Sequence, residues 1–152
     1  MFELTLIQRS TAPLSLEETK SYLNRMVSSP HNGIFDFSVC LLPSDSRHSN
    51  APIIIGKAGM WDGREIGFIF NKNYWGKGYA YEALQAVVDQ YWLVNNQEGA
   101  EPIKADVDPR NEASLRLLKK LGFEVTGTAE RTFETHIGWC DSIYLEAKRP
   151  TK

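Results

Sequence analysis

The sequence has few cysteines, no long apolar run and no excess of either charge. Its two cysteines, Cys40 and Cys140, lie far apart in the chain. The first residues of the sequence also lack the basic and apolar pattern of a secretion signal. Both observations are typical of reduced cysteines in a cytosolic protein rather than of a secreted disulfide framework. The longest strictly apolar runs are only a few residues, as at 53–55, so we expect a cytoplasmic protein without a membrane span.

The charge balance argues against a nucleic-acid partner. The chain has 17 Lys and Arg residues against 19 Asp and Glu residues, a net charge of -2 and a pI of about 5.9. No overall positive field would attract a phosphate backbone. With 152 residues, 42% of them hydrophobic, the chain is expected to form a single domain whose core needs no disulfide or structural metal. The cysteines and histidines also lack the spacing of metal-ligand pairs, so no metal is predicted.

Apolar periodicity divides the first half of the chain into a helix and three strands. Ser15 followed by Glu18 has the form of a capping box, so a helix is expected from about residue 15 to residue 27. Runs with strand-like alternation, separated by turn residues, then predict an antiparallel meander. The predicted strands span residues 34–42, 52–61 and 64–70, with turns at 30–33 and 62–63 and a polar insert at 44–50. A short alternating run at residues 2–6 allows one further strand.

The second half alternates strands with helices. Apolar residues at three- and four-residue spacing predict a helix that begins near Gly78 and reaches Tyr91. The next predicted elements are a strand at 103–107, a helix at 111–121 ended by Gly122, and closing strands at 123–125 and 142–145. The sequence therefore predicts one mixed α/β domain (α+β) over residues 1–152, without repeats or linkers.

A glycine-containing turn after the third strand has the pattern of an anion site. Gly76 and Gly78 stand directly before the helix, and Lys77 lies between them. The first N–H groups of a helix lack intrahelical partners, and glycines let an anion approach the backbone closely. The common alternative is an ordinary tight turn. The spacing excludes the phosphate loop of nucleoside triphosphatases, and Tyr81 occupies a glycine position of the dinucleotide fingerprint.

Two polar residues lie on the leucine face of the helix at 111–121. Asn111 and Ser114 share that face with Leu118 and Leu121. One interpretation is structural, with Asn111 as the N-cap and Ser114 bonded back to the helix. The functional alternative is that both residues face a ligand.

Four segments together resemble the GNAT acetyltransferases, and in particular their ribosomal-protein N-acetyltransferase-like (RimJ/RimL-type) branch. They are EIGF at 65–68, YWGKGYAYEAL at 74–84, NEAS at 111–114 and LGF at 121–123. The resemblance implies a mixed central sheet with an antiparallel meander, flanking helices, and strands that splay apart around acetyl-CoA. It covers about residues 15–145, and the N-terminus is shorter than is usual in the family.

The resemblance also implies which residues hold acetyl-CoA. The turn from Asn73 to Ala80 would bind the pyrophosphate through backbone N–H groups, although the family commonly has Gln or Arg where Asn73 stands. The strand edge at 68–70 would pair with the pantetheine arm, and Asn111 and Ser114 would line the other wall. The implied cofactor-binding residues are Phe68, Ile69, Phe70, Asn73, Trp75, Gly76, Lys77, Gly78, Tyr79, Ala80, Asn111 and Ser114.

Acetyl transfer to an amine needs a base, an oxyanion donor and an acid for the leaving thiolate. Glu65 matches a strand carboxylate that serves as base in parts of the superfamily, and Glu134 is its competitor. A strand N–H near Ile69 is expected to donate to the thioester oxygen. The usual acid is a tyrosine at the position of Leu118, so the resemblance assigns that role to Ser114.

The acceptor is expected to be a primary amine, either the N-terminal α-amine of a protein or peptide or a small-molecule amine, and the sequence leans toward α-amines. An α-amine of pKa about 7.7 to 8.0 is partly neutral at pH 7, whereas lysine at about 10.4 is almost entirely protonated, so a weak base suits the former. Two alternatives stay open. His136 and Cys140 could form a nucleophile pair, and the whole chain could be a catalytically silent acyl-CoA-binding or interaction module. Any aromatic side chains that remain exposed would allow a homodimer.

Overall fold

The computed structural model describes residues 15–17, 20–21, 24, 35–42, 52–61, 64–135 and 138–150. Six strands, two long helices and one short 3-10 turn lie within these ranges. In chain order they are β1 (Phe35–Leu41), β2 (Ile53–Trp61), β3 (Glu65–Phe70), the 3-10 turn (Lys72–Tyr74), α1 (Tyr79–Val94), β4 (Ile103–Val107), α2 (Glu112–Lys120), β5 (Glu124–Thr135) and β6 (Gly138–Ala147).

The predicted order of strands and helices is confirmed from β1 onwards. In the region of the first predicted helix, the described residues Leu16, Glu17, Lys20, Ser21 and Asn24 are helical. The predicted strand at 2–6, the turns at 30–33 and 62–63, and the polar insert at 44–50 lie outside the described residues. The extent of a single domain over 1–152 stays a prediction.

All six described strands form one sheet in the order β1-β2-β3-β4-β6-β5. The strands β1, β2 and β3 pair antiparallel, which is the predicted meander. On the other side β4 pairs antiparallel with β6, and β6 with β5. The sheet thus consists of two three-stranded antiparallel units that meet where β3 lies beside β4.

The contact between β3 and β4 is short and lies at one end of both strands. They are parallel, and the register contains a single pair, Glu65 opposite Lys104. One further hydrogen bond, from the Lys104 N–H to the Arg64 carbonyl at 2.9 Å, closes that end. Beyond it the strands separate toward Phe70 and Val107, so the splayed opening implied by the resemblance is present.

The core joins both helices to the centre of the sheet. Leu84, Val87 and Val88 of α1 recur at helical spacing and are buried together with Leu118 of α2. They pack with the apolar residues of β2, β3, β4 and β6. Burial of these aliphatic side chains, each contributing about 1.5 to 3 kcal/mol, fixes both helices against the sheet.

The two closing strands are longer than predicted because a bulge interrupts β5. Residues 129 and 133 pair with 142 and 140, so three residues of β5 stand opposite one residue of β6. Arg131 in this bulge has a φ of 50°, and its N–H donates to the Asp141 carboxylate at 2.8 Å. The polar bulge breaks the apolar alternation, so the sequence pattern shows only the start of β5 and the middle of β6.

Candidate functional site

A cavity of about 510 Å³ lies between the end of β3 and the start of α2, the helix that follows β4. Its volume is within the usual range for small-molecule sites. Three segments line it: the end of β3, the turn that leads into α1, and the N-terminal half of α2. The lining residues are Phe68, Ile69, Phe70, Tyr74, Trp75, Gly76, Gly78, Tyr79, Ala80, Tyr81, Arg110, Asn111, Glu112, Ala113, Ser114 and Leu117.

Backbone conformation at the turn explains its two glycines. Gly76 has a φ of 72° and Gly78 a φ of 87°, both in the left-handed region that other residues rarely adopt. Gly78 is the N-cap of α1, so the unpaired N–H groups of the first helical turn lie at the cavity wall. A Cβ built at either glycine meets no heavy atom of the described chain within 4 Å, which leaves room for an anion there.

Hydrogen bonds between residues close in sequence fix the segment 71–75, which connects β3 to this turn. The Asn71 side chain accepts from the Asn73 N–H at 3.0 Å, which fixes the 3-10 turn. The Trp75 indole N–H donates to the Phe70 carbonyl at 2.8 Å. Trp75 is nonetheless 52% exposed, so its ring is available at the cavity wall.

The sheet register decides which backbone donors face the opening. The Asn71 N–H donates to the Ile55 carbonyl of β2 at 2.9 Å. Since alternate residues of an antiparallel strand point the same way, the Ile69 N–H also faces β2, where Ile69 stands opposite Lys57. The N–H groups of Phe68 and Phe70 then point away from β2, toward the opening. Of the N–H groups near Ile69, those of Phe68 and Phe70 therefore face the opening, and their role as oxyanion donors stays a prediction.

The opposite wall comes from the start of α2. The Asn111 side chain accepts from the Ser114 N–H at 3.1 Å, which confirms the N-cap interpretation. Asn111 and Ser114 also line the cavity, and their contact with a ligand stays a prediction. Ser114 is 7% exposed. Leu118 is fully buried in the core, and the next cavity residue on this helix is Leu117.

A cation that the sequence analysis did not single out stands at the same wall. Arg110 donates from Nε and Nη2 to the Asp108 carboxylate at 2.5 to 3.0 Å, and its Nη2 also donates to the Cys140 Sγ at 2.6 Å. The contact ties the turn before α2 to β6. The Arg110 guanidinium holds the pKa of the Asp108 carboxyl below its usual range, against the opposing effect of burial.

This lowered pKa predicts how acid affects stability. The pKa of Asp108 is lower in the folded chain than in the unfolded chain. The ionised carboxylate therefore stabilises the folded state fully at pH values above the ordinary carboxyl pKa of about 3.9, and this stabilisation is lost as pH falls through the folded-state pKa. We expect Asp108→Asn to reduce the free energy of unfolding at pH 7 by at most about 1 kcal/mol, because its partner Arg110 is exposed to solvent, which screens the pair. Urea unfolding at pH 7 and at pH 2.5 measures the difference, which should be smaller at the lower pH.

Glu112→Gln is the matched control for that measurement. Glu112 forms an exposed pair with Arg116 at 3.0 Å on the same helix. Its loss should change stability by only a few tenths of a kcal/mol. A deficit of Asp108→Asn that is just as large at the acidic pH would contradict an ionic origin.

Several residues assigned from the sequence lie outside the cavity wall. Glu65 is half-buried at the closed end of the opening, where β3 and β4 meet. Asn73 and Lys77 are exposed on the turn, and the Lys77 ammonium lies 5.5 Å from the centroid of the Tyr74 ring. Glu134 is exposed on β5. Their roles stay predictions.

Comparison with known proteins decides the family. The sequence model of the acetyltransferase (GNAT) domain matches residues 3–124, which is most of the chain. The chain belongs to the GNAT acetyltransferase family. The resemblance carried by the four motif segments is thereby confirmed at the level of the family.

Individual relatives extend this assignment. An N-acetyltransferase of Bacillus licheniformis, p20, which is described as uncharacterised, is 36% identical over 81 residues, or 53% of this chain and 43% of that protein. The chain thus matches less than half the length of this curated relative. The structure of a ribosomal-protein-alanine N-acetyltransferase from Brucella melitensis superposes with a TM-score of 0.71 at 17% identity, covering 95% of this chain and 85% of that one. This likeness confirms the fold.

A third structure with the same fold contains a bound molecule. The yncA protein of Salmonella typhimurium, solved with its cofactor acetyl-CoA, superposes with a TM-score of 0.58 at 22% identity. The alignment covers 66% of this GNAT chain and 61% of that protein.

The part of this GNAT chain that the structure describes lacks two further features. Within the part that the structure describes, no helix is both long and apolar enough to cross a bilayer. The same residues contain no group of three His, Cys, Asp or Glu side chains placed to hold a metal ion.

Proposed function

We propose that this GNAT chain transfers an acetyl group from acetyl-CoA to a primary amine. The observation that carries the proposal is this cavity. Its walls are formed by the edge of a strand (β3), by a glycine turn and by the N-terminus of a helix. These are the three kinds of backbone that pantetheine amides and a pyrophosphate require. When bound, acetyl-CoA would supply the acetyl group as an activated thioester.

Different residues of the cavity are expected to bind different parts of acetyl-CoA. The N–H groups of Tyr79 and Ala80 at the start of α1 favour the pyrophosphate through hydrogen bonds and the helix dipole. The N–H groups of Phe68 and Phe70 are directed into the opening, where they can donate to an amide or to a thioester oxygen. Asn111 and Ser114 close the opposite side.

Glu65 is proposed as the base that accepts the amine proton. Strand geometry, with about 3.3 Å per residue, places its Cα roughly 10 Å from that of Phe68. Proton transfer would therefore run through a water or to an amine bound at the closed end of the opening. Ser114, buried beside Asn111, is proposed to donate its hydroxyl proton to the leaving thiolate and to take up a replacement proton from solvent. Leu118 cannot take that role because it is an apolar side chain enclosed in the core.

An α-amine of a protein or peptide is the acceptor that we propose first. Support comes from the motif resemblance to the RimJ/RimL-type branch and from the lower pKa of α-amines, which relaxes the demand on the base. A small-molecule amine is the second acceptor class. Cytoplasmic location and homodimerisation also stay predictions.

Calorimetric titration of the purified chain with acetyl-CoA and with free CoA tests the binding step. We expect saturable binding of both. Acetyl transfer is then followed by thiol release from acetyl-CoA in the presence of short peptides with free N-termini and of small polyamines. Binding without turnover on any amine would favour the alternative, a silent acyl-CoA-binding module. Absence of binding would refute the proposal.

Replacement of the proposed base separates chemistry from binding. With an accepted amine, we expect Glu65→Gln to lower kcat/KM at pH 7 by about a hundredfold, the usual scale of general-base catalysis, with little change in the Kd for acetyl-CoA. Part of the loss should be recovered as pH rises toward 9, because the neutral fraction of the amine increases. Steady-state rates across this pH range measure both effects.

Glu134→Gln is the control, since Glu134 is an exposed carboxylate on β5. Its kcat/KM should equal that of the wild type. An unchanged rate in Glu65→Gln together with a reduced rate in Glu134→Gln would transfer the role of base to Glu134.

A further inference from the structure

The outer end of the cavity contains residues that the binding scheme above does not use. In that scheme the strand edge at 68–70 holds the pantetheine arm, and the turn around Gly76 and Gly78 holds the pyrophosphate. The nucleoside part of the coenzyme, beyond the pyrophosphate, must leave past the remaining lining residues of α1 and α2. These are Tyr81 on α1 and Glu112, Ala113 and Leu117 on α2, of which Tyr81 and Leu117 lie furthest along their helices from the pyrophosphate turn and the Asn111 cap.

A lysine is held at this outer end. The Lys120 ammonium lies 4.3 Å from the centroid of the Tyr81 ring, within cation–π range. Lys120 is in the last turn of α2, one helical turn beyond Leu117. Contact with an aromatic face restricts the side chain without neutralising its charge, so the ammonium still attracts anions.

The other cations near the cavity differ from Lys120. Arg110 is paired with Asp108, and Arg116 with Glu112. Neither Lys77 nor Lys120 forms an ion pair with a carboxylate of the described residues, and Lys77 lies over Tyr74 at the pyrophosphate turn. Lys120 is therefore the cation at the nucleotide end whose charge is available to a ligand.

We propose that Lys120, held against Tyr81, binds the 3′-phosphate of the ribose of acetyl-CoA and so selects the coenzyme over its 3′-dephospho form. This inference rests on the proposed function. A phosphate monoester carries a charge of about -1.5 to -2 at pH 7, more than any other single group of the ligand outside the pyrophosphate. An ammonium on a flexible stem suits it, because lysine acts as a point charge without a fixed donor geometry.

An electrostatic effect of α2 itself could mimic this role. A lysine in the last turn of a helix interacts favourably with the C-terminal dipole, and Lys119 stands in that same turn. Lys119 is exposed and forms no ring contact with Tyr81 among the described interactions. It is therefore a matched control for charge and helix position.

The test is calorimetric titration of the full chain with acetyl-CoA and with acetyl-3′-dephospho-CoA at 50 mM salt. We expect the wild type to prefer acetyl-CoA by about tenfold. Lys120→Met, which keeps an apolar stem on Tyr81, should bind both ligands with the Kd that the wild type has for the dephospho form. Lys120→Arg should retain most of the preference, and Lys119→Met all of it.

Other results would overturn the inference in separate ways. Equal binding of the two ligands by the wild type, equal weakening of both in Lys120→Met, or the same loss in Lys119→Met would each refute the role of Lys120 and leave the proposed function intact. Failure of the wild type to bind either ligand would refute the proposed function and this inference together. The thermal midpoint of each variant confirms that it is folded.

Discussion

Gly76→Glu is expected to abolish acetyl-CoA binding while the chain remains folded. The new carboxylate would stand where the pyrophosphate is proposed to bind, and like charges at close range repel strongly in a partly enclosed site. The side chain also has to accept a φ of 72°, which costs about 1 to 2 kcal/mol for a residue with a Cβ. Calorimetry should show a loss of at least about a hundredfold in affinity, equivalent to about 2.8 kcal/mol.

Two variants separate charge from backbone strain in that experiment. Gly99 has a similar φ of 79° and equally open surroundings among the described residues, but it lies outside the cavity. Gly99→Glu therefore introduces the same backbone strain and the same charge at a position that does not line the site. Gly76→Asn places a neutral residue that tolerates the left-handed region at the turn itself. Both should retain most of the affinity. A Kd for Gly76→Glu equal to that of the wild type would place the phosphates elsewhere.

Gly56→Ala is expected to damage both stability and binding, although Gly56 is not part of the cavity wall. A Cβ built at Gly56 would lie 2.5 Å from the Phe70 Cδ1 and 2.6 Å from the Ile69 carbonyl oxygen. The second of these atoms is backbone and cannot rotate away. The end of β3 must therefore shift from β2 toward the opening, where Ile69 and Phe70 line the site. We expect a loss of about 1 to 3 kcal/mol in the free energy of unfolding.

The same shift should weaken acetyl-CoA binding by about tenfold, because the donors at the strand edge would no longer stand in line with the glycine turn. Gly127→Ala is the control, since a Cβ there would make an ordinary contact at 3.7 Å with Tyr144. Urea unfolding and calorimetry on the two variants measure both effects. Wild-type stability in Gly56→Ala would show that β2 and β3 can separate without cost at this point.

The sequence predicts those features of the site that local pattern determines. Adjacent residues encode the strand, glycine turn and helix around Gly76 and Gly78, and the positive φ angles explain why glycine is needed there. Asn111 and Ser114, more than thirty residues away, line the same cavity because α2 follows a strand that neighbours β3. Their capping bond could be predicted because it joins residues three apart.

Features that depend on long-range register could not be predicted in this way. The role of Gly56 follows from its position opposite Phe70, and the direction of the Ile69 N–H follows from the same pairing. The bond between Arg110 and Cys140 joins a turn to a strand thirty residues later. No local sequence pattern predicts these contacts, because each depends on the register and packing of segments that are far apart in the sequence.

The single pair between Glu65 and Lys104 also has a mechanical consequence. On either side of it β3 pairs with β2 over six residues and β4 pairs with β6 over five, so the junction between the two three-stranded units is the point of least resistance within the sheet. A ligand that bonds to β3 on one side and packs on α2 on the other would span that junction. Binding would then restrict the relative motion of the two units, and the angle between them would differ between the bound and the free protein.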